Sequence, residues 1–393
     1  MLSRFLPPPL PPPQSWYPGH MTQFSRILPA LLARTDVVLE LRDARLPLTS
    51  VNKNFEGALN RWRAERVRLS EHAAASSPNA SARVCERVVV FNKRDLVPEW
   101  GVVPFQKAMA AKFPDQRTMF VSWNRPNDLR TLSGLLVNIA RKYPHIPELN
   151  VLVVGMPNVG KSTLLNALRD VGIPGPTPKA LRTSAQPGLT KALSTRLKLS
   201  QDPLVYSFDT PGVMLPFLGR GDRGAERGVK LALIAGIKEG LYDHEALAAY
   251  LHYRLNALDS TKPAYLTLLP PGTMPTDDLH EFLGSLARRL GMLQRGGVPD
   301  FPRAAGWFVR WWRDEGNAAS TRRTGWGLDL EWRAEADTSD AAACVERFMA
   351  QEAQEEDEGG AVSTTQERKR IRDDKRAKRA LRTKARLAAK RAG

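Results

Sequence analysis

Residues 155–163 read GMPNVGKST and meet the GxxxxGK[ST] spacing of a phosphate-cradling loop. They follow the apolar run VLVV at 151–154 and open the stretch LLNALRD, so the sequence predicts strand, loop and helix in that order. Glycines let successive backbone N–H groups curl around a phosphate chain, and the helix N-terminus adds a favourable dipole. In such a loop Lys161 reaches the β- and γ-phosphates and Ser162 ligates Mg²⁺, while Asn158, Val159, Gly160 and Thr163 surround the chain of phosphates. Further on, Asp209-Thr210-Pro211-Gly212 ends the apolar run VYSF. Asp209 stands where a second oxygen donor would organise the Mg²⁺, and Gly212 where a backbone N–H would sense the terminal phosphate.

A second cluster reads a base. Asn92-Lys93-Arg94-Asp95 follows the apolar run VVVF. A carboxylate at Asp95 accepts from both guanine N1–H and N2–H₂, a donor pair that adenine lacks. Asn92 is expected at the Hoogsteen edge, and the Lys93 stem over the base face. Ser122, closing the run TMFVS, and Trp123 after it would form a second loop supporting the base. Together the two clusters select GTP and GDP over adenine nucleotides.

These residues must be held by an α/β domain. Runs at 37–41 (VVLEL), 88–91, 118–122, 151–154 and 205–208 read as strands, with a helical pattern from 128 to 142. Strands alternating with helices imply a mostly parallel sheet covered on both faces. Residues 61–86, with AAASSPNASA, read as an insertion loop on the surface. After Gly240 the patterns HEALAAYLHYRL and DDLHEFLGSLARRLGML predict a compact helical domain over 241–348. An acidic linker opening QEAQEEDEGG and a basic tail fill 349–393. The sheet domain is thus expected over 16–240, after a proline-rich leader at 1–15.

Composition narrows the class. Of the net charge of +17, the segment 367–393 supplies +10, leaving +7 on the rest, which points to a polyanionic partner. The tail's charge suits RNA phosphates by counterion release; a solvated extension is the plainer alternative. Cys85 and Cys344 form no CxxC pair, which argues against a disulfide framework or structural zinc. No apolar run approaches the length of a bilayer span. No acid precedes Asp36, whereas Arg4, Arg26 and Arg34 do, as in a transit segment, though the prolines spoil the usual amphipathic helix.

The order of the motifs is inverted. Ordinary GTPases run from phosphate loop through switches to NKxD; here the NKRD motif comes first. A parallel sheet tolerates such a cut because surface loops accept new termini. The chain resembles the circularly permuted GTPases of the YlqF/RbgA type, which assemble ribosomes, and among them the mitochondrial members. The resemblance rests on WYPGHM (16–21), DVVLELRDARLPLTSVN (36–52), FNKRDLV (91–97), GMPNVGKST, PGLTK (187–191) and DTPGVMLP (209–216). It continues through LIAGIK (233–238) and RGGVPDFPRAAGWFVRWWRDEG (295–316). It implies a circularly permuted P-loop domain followed by a small helical domain that touches ribosomal RNA. It also assigns Thr190 to the first switch as a Mg²⁺ ligand with a catalytic part. A role in late assembly of the mitochondrial large ribosomal subunit follows, in the matrix or peripherally at the matrix face of the inner membrane. A scaffold with a structural nucleotide, or a bacterial, plastid or nucleolar assembly GTPase, is the rival reading.

Two positions qualify the catalytic machinery. Val213 follows DTPG where many GTPases place the water-orienting glutamine, and valine cannot bind water. His20, in the PGHM motif, is a candidate to take that part; a packed or solvated side chain is the alternative. Asn158 matches the asparagine with which potassium-activated GTPases hold K⁺ near the phosphates. Hydrolysis is therefore expected to be slow alone and accelerated by K⁺ and the ribosomal subunit. The second base-side loop reads SWN rather than serine, a small residue and lysine, which weakens the guanine contacts expected of that loop.

Overall fold

The computed structural model describes residues 6–14, 16–76, 84–114, 116–175, 180–181, 188, 196–315, 324–326, 328–333 and 338–357. In chain order the elements of the first part are α1 (Gly19–Ala33), β1 (Val37–Asp43), α2 (Lys53–Ser76), β2 (Glu86–Asn92), α3 (Val102–Lys112) and β3 (Arg117–Val121). They continue with α4 (Pro126–Lys142), β4 (Leu149–Gly155), α5 (Lys161–Gly172), β5 (Leu197–Gln201), β6 (Leu204–Asp209) and α6 (Gly221–Leu233). The second part holds α7 (His244–Leu258), α8 (Leu279–Arg289), α9 (Phe301–Glu315), β7 (Thr324–Trp326), β8 (Leu330–Arg333) and α10 (Thr338–Asp357).

Six strands form one sheet in the order β3-β2-β1-β4-β6-β5. All neighbours are parallel except β5, which runs antiparallel to β6. The mostly parallel α/β fold expected from the sequence is thus observed. Alternate residues of β2 serve opposite faces, as the period of two requires. Val88 and Val90 join the main core. Val89 and Phe91 pack with Phe105 of α3 and Phe120 of β3, where Phe91 and Phe120 stack at 4.8 Å between ring centres.

β1 is buried along its whole length although it carries Glu40, Arg42 and Asp43. Burial pushes the Glu40 carboxyl up, but Arg42 and Arg87 outweigh it and hold the group at about 2. Their ion pairs with Glu40, at 2.7 and 2.5 Å, explain how a central strand tolerates charge.

Three expectations need correction. Residues 61–76, read as part of a loop, belong to the helix α2, whose Phe55, Leu59 and Trp62 are buried at helical spacing. The small residues that suggested a loop fall at its end, and 77–83 lie outside the described residues. The linker expected from 349 is helical through Asp357, because α10 packs Ala341 and Val345 against the α3 face. For the same reason the chain after α9 does not stay with the helical domain: α10 returns to the sheet domain. The helices α1 and α3 were not foreseen.

In the second part Asp243 and Asp278 cap α7 and α8 through their side chains. Between them His252 stacks on Phe282 at 5.1 Å, and burial lowers its ring to about 4. It therefore packs as a neutral aromatic.

Candidate nucleotide-binding site

β1 and β4 are neighbours, yet the chain leaves β1 toward the β3 edge and leaves β4 toward the β5 edge. The carboxyl ends of these strands therefore flank a topological switch point, the usual place for a ligand in such sheets. The phosphate loop follows β4, and NKRD follows β2.

Gly160, the residue before α5, has φ 88°, and a Cβ there would stand 2.5 Å from Asn92 Nδ2. Only glycine meets both demands. Asn92 donates Nδ2 to the Val159 carbonyl at 2.7 Å, so it ties the base-reading segment to the phosphate loop. Among the described residues its buried Oδ1 has no hydrogen-bond partner. The amide thus does structural work besides the base contact expected of it. Asn158 adopts φ 58°, and its Nδ2 lies 3.5 Å from the Ile234 carbonyl.

Lys161 is buried and donates Nζ to the carbonyls of Met156 and Gly155, at 2.8 and 3.3 Å. Burial lowers its ammonium to about 8, against the pull of Asp209. Ser162 donates Oγ to Asp209 Oδ2 at 2.5 Å. Burial raises the Asp209 carboxyl even though Ser162 and Lys161 oppose the shift. A hydroxyl and a carboxylate side by side at the rim of a phosphate cradle are the hard oxygen donors that fit Mg²⁺. Gly212 touches the loop directly: a Cβ there would fall 2.6 Å from Pro157 Cα. Val213 is buried and donates its N–H to the Gly155 carbonyl at 3.1 Å, which leaves the water-orienting position without a polar side chain.

On the base side Ser122 Oγ sits between Asp95 Oδ1 and Asn124 Oδ1, and Asn124 Nδ2 reaches Asp95 Oδ2 at 3.3 Å. The Asp95 carboxylate is thereby fixed from behind. Lys93, at φ 61°, turns the chain so that its Nζ pairs with Asp43 at 3.1 Å. Burial pushes Asp43 up, but Arg45 and Lys93 hold it far below the usual carboxylate range. Trp123 is 53% exposed at the edge.

One cavity of about 690 Å³ joins these parts. Asn92, Lys93, Asp95 and Trp123 line it together with Asn158, Gly160 and Thr163, so both predicted clusters open into a single space. The second part of the chain contributes Arg310, Arg313 and Asp314 of α9.

The N-terminal segment meets the PGLTK and DTPGVM segments. Trp16 lies against Gly188 of PGLTK, leaving 3.1 Å for any Cβ there. Met21 Sδ accepts from Met214 N at 3.4 Å. His20, half-buried at the start of α1, is thus one residue from a contact with the DTPGVM segment. Thr190 lies outside the described residues.

Residues 150–257 match the family described as 50S ribosome-binding GTPase. Over 305 residues the chain is 31% identical to Mitochondrial GTPase 1 of Schizosaccharomyces japonicus, covering 72% of this chain and 82% of that protein. The chain belongs to the mitochondrial GTPase 1 family. It is also 30% identical over 249 residues to Mitochondrial ribosome-associated GTPase 1 of Mus musculus, covering 61% of this chain and 66% of that one. A solved structure, GNP-bound YlqF from T. maritima, is 20% identical and covers 80% of this chain and 100% of that chain, with a TM-score of 0.44. As a member of this family, the chain is a GTPase whose motifs are circularly permuted.

Sequence reasoning missed several residues of this GTPase site. Asn124 steadies Asp95, a part signalled only by its place after Ser122. Arg45 pairs with Asp43 at 2.8 Å, lies 5.0 Å over the Trp312 ring and donates to the Arg313 carbonyl at 3.0 Å. The sequence showed Arg45 within a family motif but not the long-range contact that explains it.

Proposed function

We propose that this GTPase acts as a switch on the mitochondrial large ribosomal subunit, with GTP hydrolysis permitting its release. One observation carries the nucleotide reading: Asp95 of NKRD and Asn158, Gly160 and Thr163 of the phosphate loop line one cavity of about 690 Å³. In this reading Asp95 reads the guanine edge and Lys161 binds the β- and γ-phosphates. Ser162 and Asp209, with Thr190, hold Mg²⁺, which neutralises charge on the transferring phosphoryl group. Asn158 would hold K⁺ beside the phosphates, and His20 would orient the attacking water once a partner orders the N-terminal segment.

The ribosomal partner is supported by the names of the relatives and by the basic tail, whose charge suits RNA phosphate. The same names support mitochondrial residence, and the matrix is where that partner would be met. Among the described residues no helix is long and apolar enough to cross a membrane.

The experiment is sedimentation of tagged protein in gradients of mitochondrial lysate. Co-migration with the large subunit under a non-hydrolysable GTP analogue, and not under GDP, is the expected result. Identical profiles in both states would exclude the switch. Equal hydrolysis with and without large subunits would exclude activation by the partner.

A further inference from the structure

We propose that Arg310, on α9 of the C-terminal part, is a phosphate-binding residue of the nucleotide site, so that the bound nucleotide is held jointly by both parts of the chain. This rests on the nucleotide reading of the cavity and adds to it a residue outside the P-loop domain.

Four cations line the cavity: Arg45, Lys93, Arg310 and Arg313. Three are committed. Lys93 and Arg45 share Asp43, at 3.1 and 2.8 Å. Arg313 pairs with Glu239 at 3.0 Å and donates Nε and Nη2 to the carbonyls of Leu233 and Ala232, at 2.8 and 2.9 Å. Arg310 differs. Its Nε donates to the Gly306 carbonyl of its own helix at 3.3 Å, and among the described residues no carboxylate pairs with it. Its terminal nitrogens, a planar fork suited to phosphate oxygens, remain for a ligand.

The helix that carries it is fixed. Trp312 is fully buried under Arg45, Phe308 is in the core, and Arg313 ties α9 to the end of α6. Arg310 sits one helical turn before Arg313 on that anchored helix. The same cavity is lined by Asn158, Gly160 and Thr163 of the phosphate loop. Three carboxylates, Asp95, Glu239 and Asp314, also line the space; Asp95 belongs to NKRD at the base end, and Arg313 neutralises Glu239. An anionic ligand is therefore drawn toward the loop and Arg310.

Equilibrium binding of guanosine, GMP and GDP to the full chain tests this, using R310A, R310K and R303A. Arg303 is exposed on the same helix and does not line the cavity. We expect R310A to weaken GDP about tenfold, the scale of one charge-assisted hydrogen bond. Guanosine should bind R310A and wild type equally, R303A should match wild type throughout, and R310K should recover part of the loss. The R310A effect should shrink from low to high KCl. GDP affinity unchanged in R310A would overturn the proposal, and so would an equal loss for guanosine. D95N runs alongside: if it weakens GDP while R310A does not, only this inference falls. If neither variant matters, the nucleotide reading of the cavity falls with it. Should R310A lower the melting midpoint, R310K becomes the deciding variant, and GDP affinity equal to wild type in it overturns the bidentate contact.

Discussion

The base side and the phosphate side of the candidate site solve the problem of buried charge in opposite ways. At the base end, Asp43 is matched by Arg45 and Lys93, and Asp95 is braced by Ser122 and Asn124. The charges there are paired within the protein before any ligand arrives. At the phosphate end, burial drives Lys161 down to about 8 and raises Asp209, so both groups are held nearer neutrality than in water. Lys161 acts on Asp209 through electrostatics, and the Ser162 hydroxyl donates to the carboxylate. The base end is preorganised; the phosphate end is destabilised until Mg²⁺ and phosphate complete it.

The largest effect should come from breaking the phosphate end. Lys161→Met is expected to weaken GDP about a hundredfold, since it removes a charged partner of the phosphates. The same change should raise the melting temperature of the ligand-free protein, because it replaces a desolvated ammonium with an apolar chain. Calorimetric binding and thermal unfolding check the two halves; a lower melting temperature would mean that Lys161 is already satisfied.

At the base end the signs reverse. Asp43→Asn should destabilise the empty protein by about 3 kcal/mol, because Arg45 stays buried without its counter-charge. Thermal and denaturant unfolding would measure it. Asp95→Asn should leave folding intact but exchange preference from guanine to xanthine nucleotides, read from competition binding.

The next effect concerns pH. Lys161 titrates near 8 when the site is empty, and a phosphate must raise that value. Above pH 8 the empty site has lost the proton that the complex needs. Binding then takes up a proton, and GDP affinity falls by at most about tenfold per pH unit. Calorimetry in buffers of different ionisation enthalpy should detect uptake at pH 9 and little at pH 7. Equal values would place the free lysine well above 8. The smallest change is expected for Asn124→Ala, a loss of a few-fold in GDP affinity, since Ser122 still holds Asp95.

The phosphate end was more legible in the sequence than the base end for the same physical reason. A loop that cradles phosphate with its own backbone must be written in contiguous residues, so GMPNVGKST announces Lys161 and Ser162 together. The base end is assembled from distant segments: Asp43 ending β1 and Arg45 just beyond it, Lys93 after β2, Asn124 after β3, with Trp312 underneath. Only NKRD is contiguous there. The strands were read from their apolar runs, and the inverted motif order matched the position of β1 at the centre of the sheet. Helix α2 was hidden because alanines and serines near its end outweighed the spacing of Phe55, Leu59 and Trp62. Helix α10 was hidden because its acidic half looks like a linker, whereas Ala341 and Val345 are its buried contacts.

Eight residues separate DTPG from α6, whose far end is gripped by Arg313. With 13 residues it is about 20 Å long at 1.5 Å per residue. A helix of that length moves as a rod. A displacement of the DTPG segment that reached α6 would thus be passed on to α9. The far part of the molecule would feel the loss of one phosphate as a stroke.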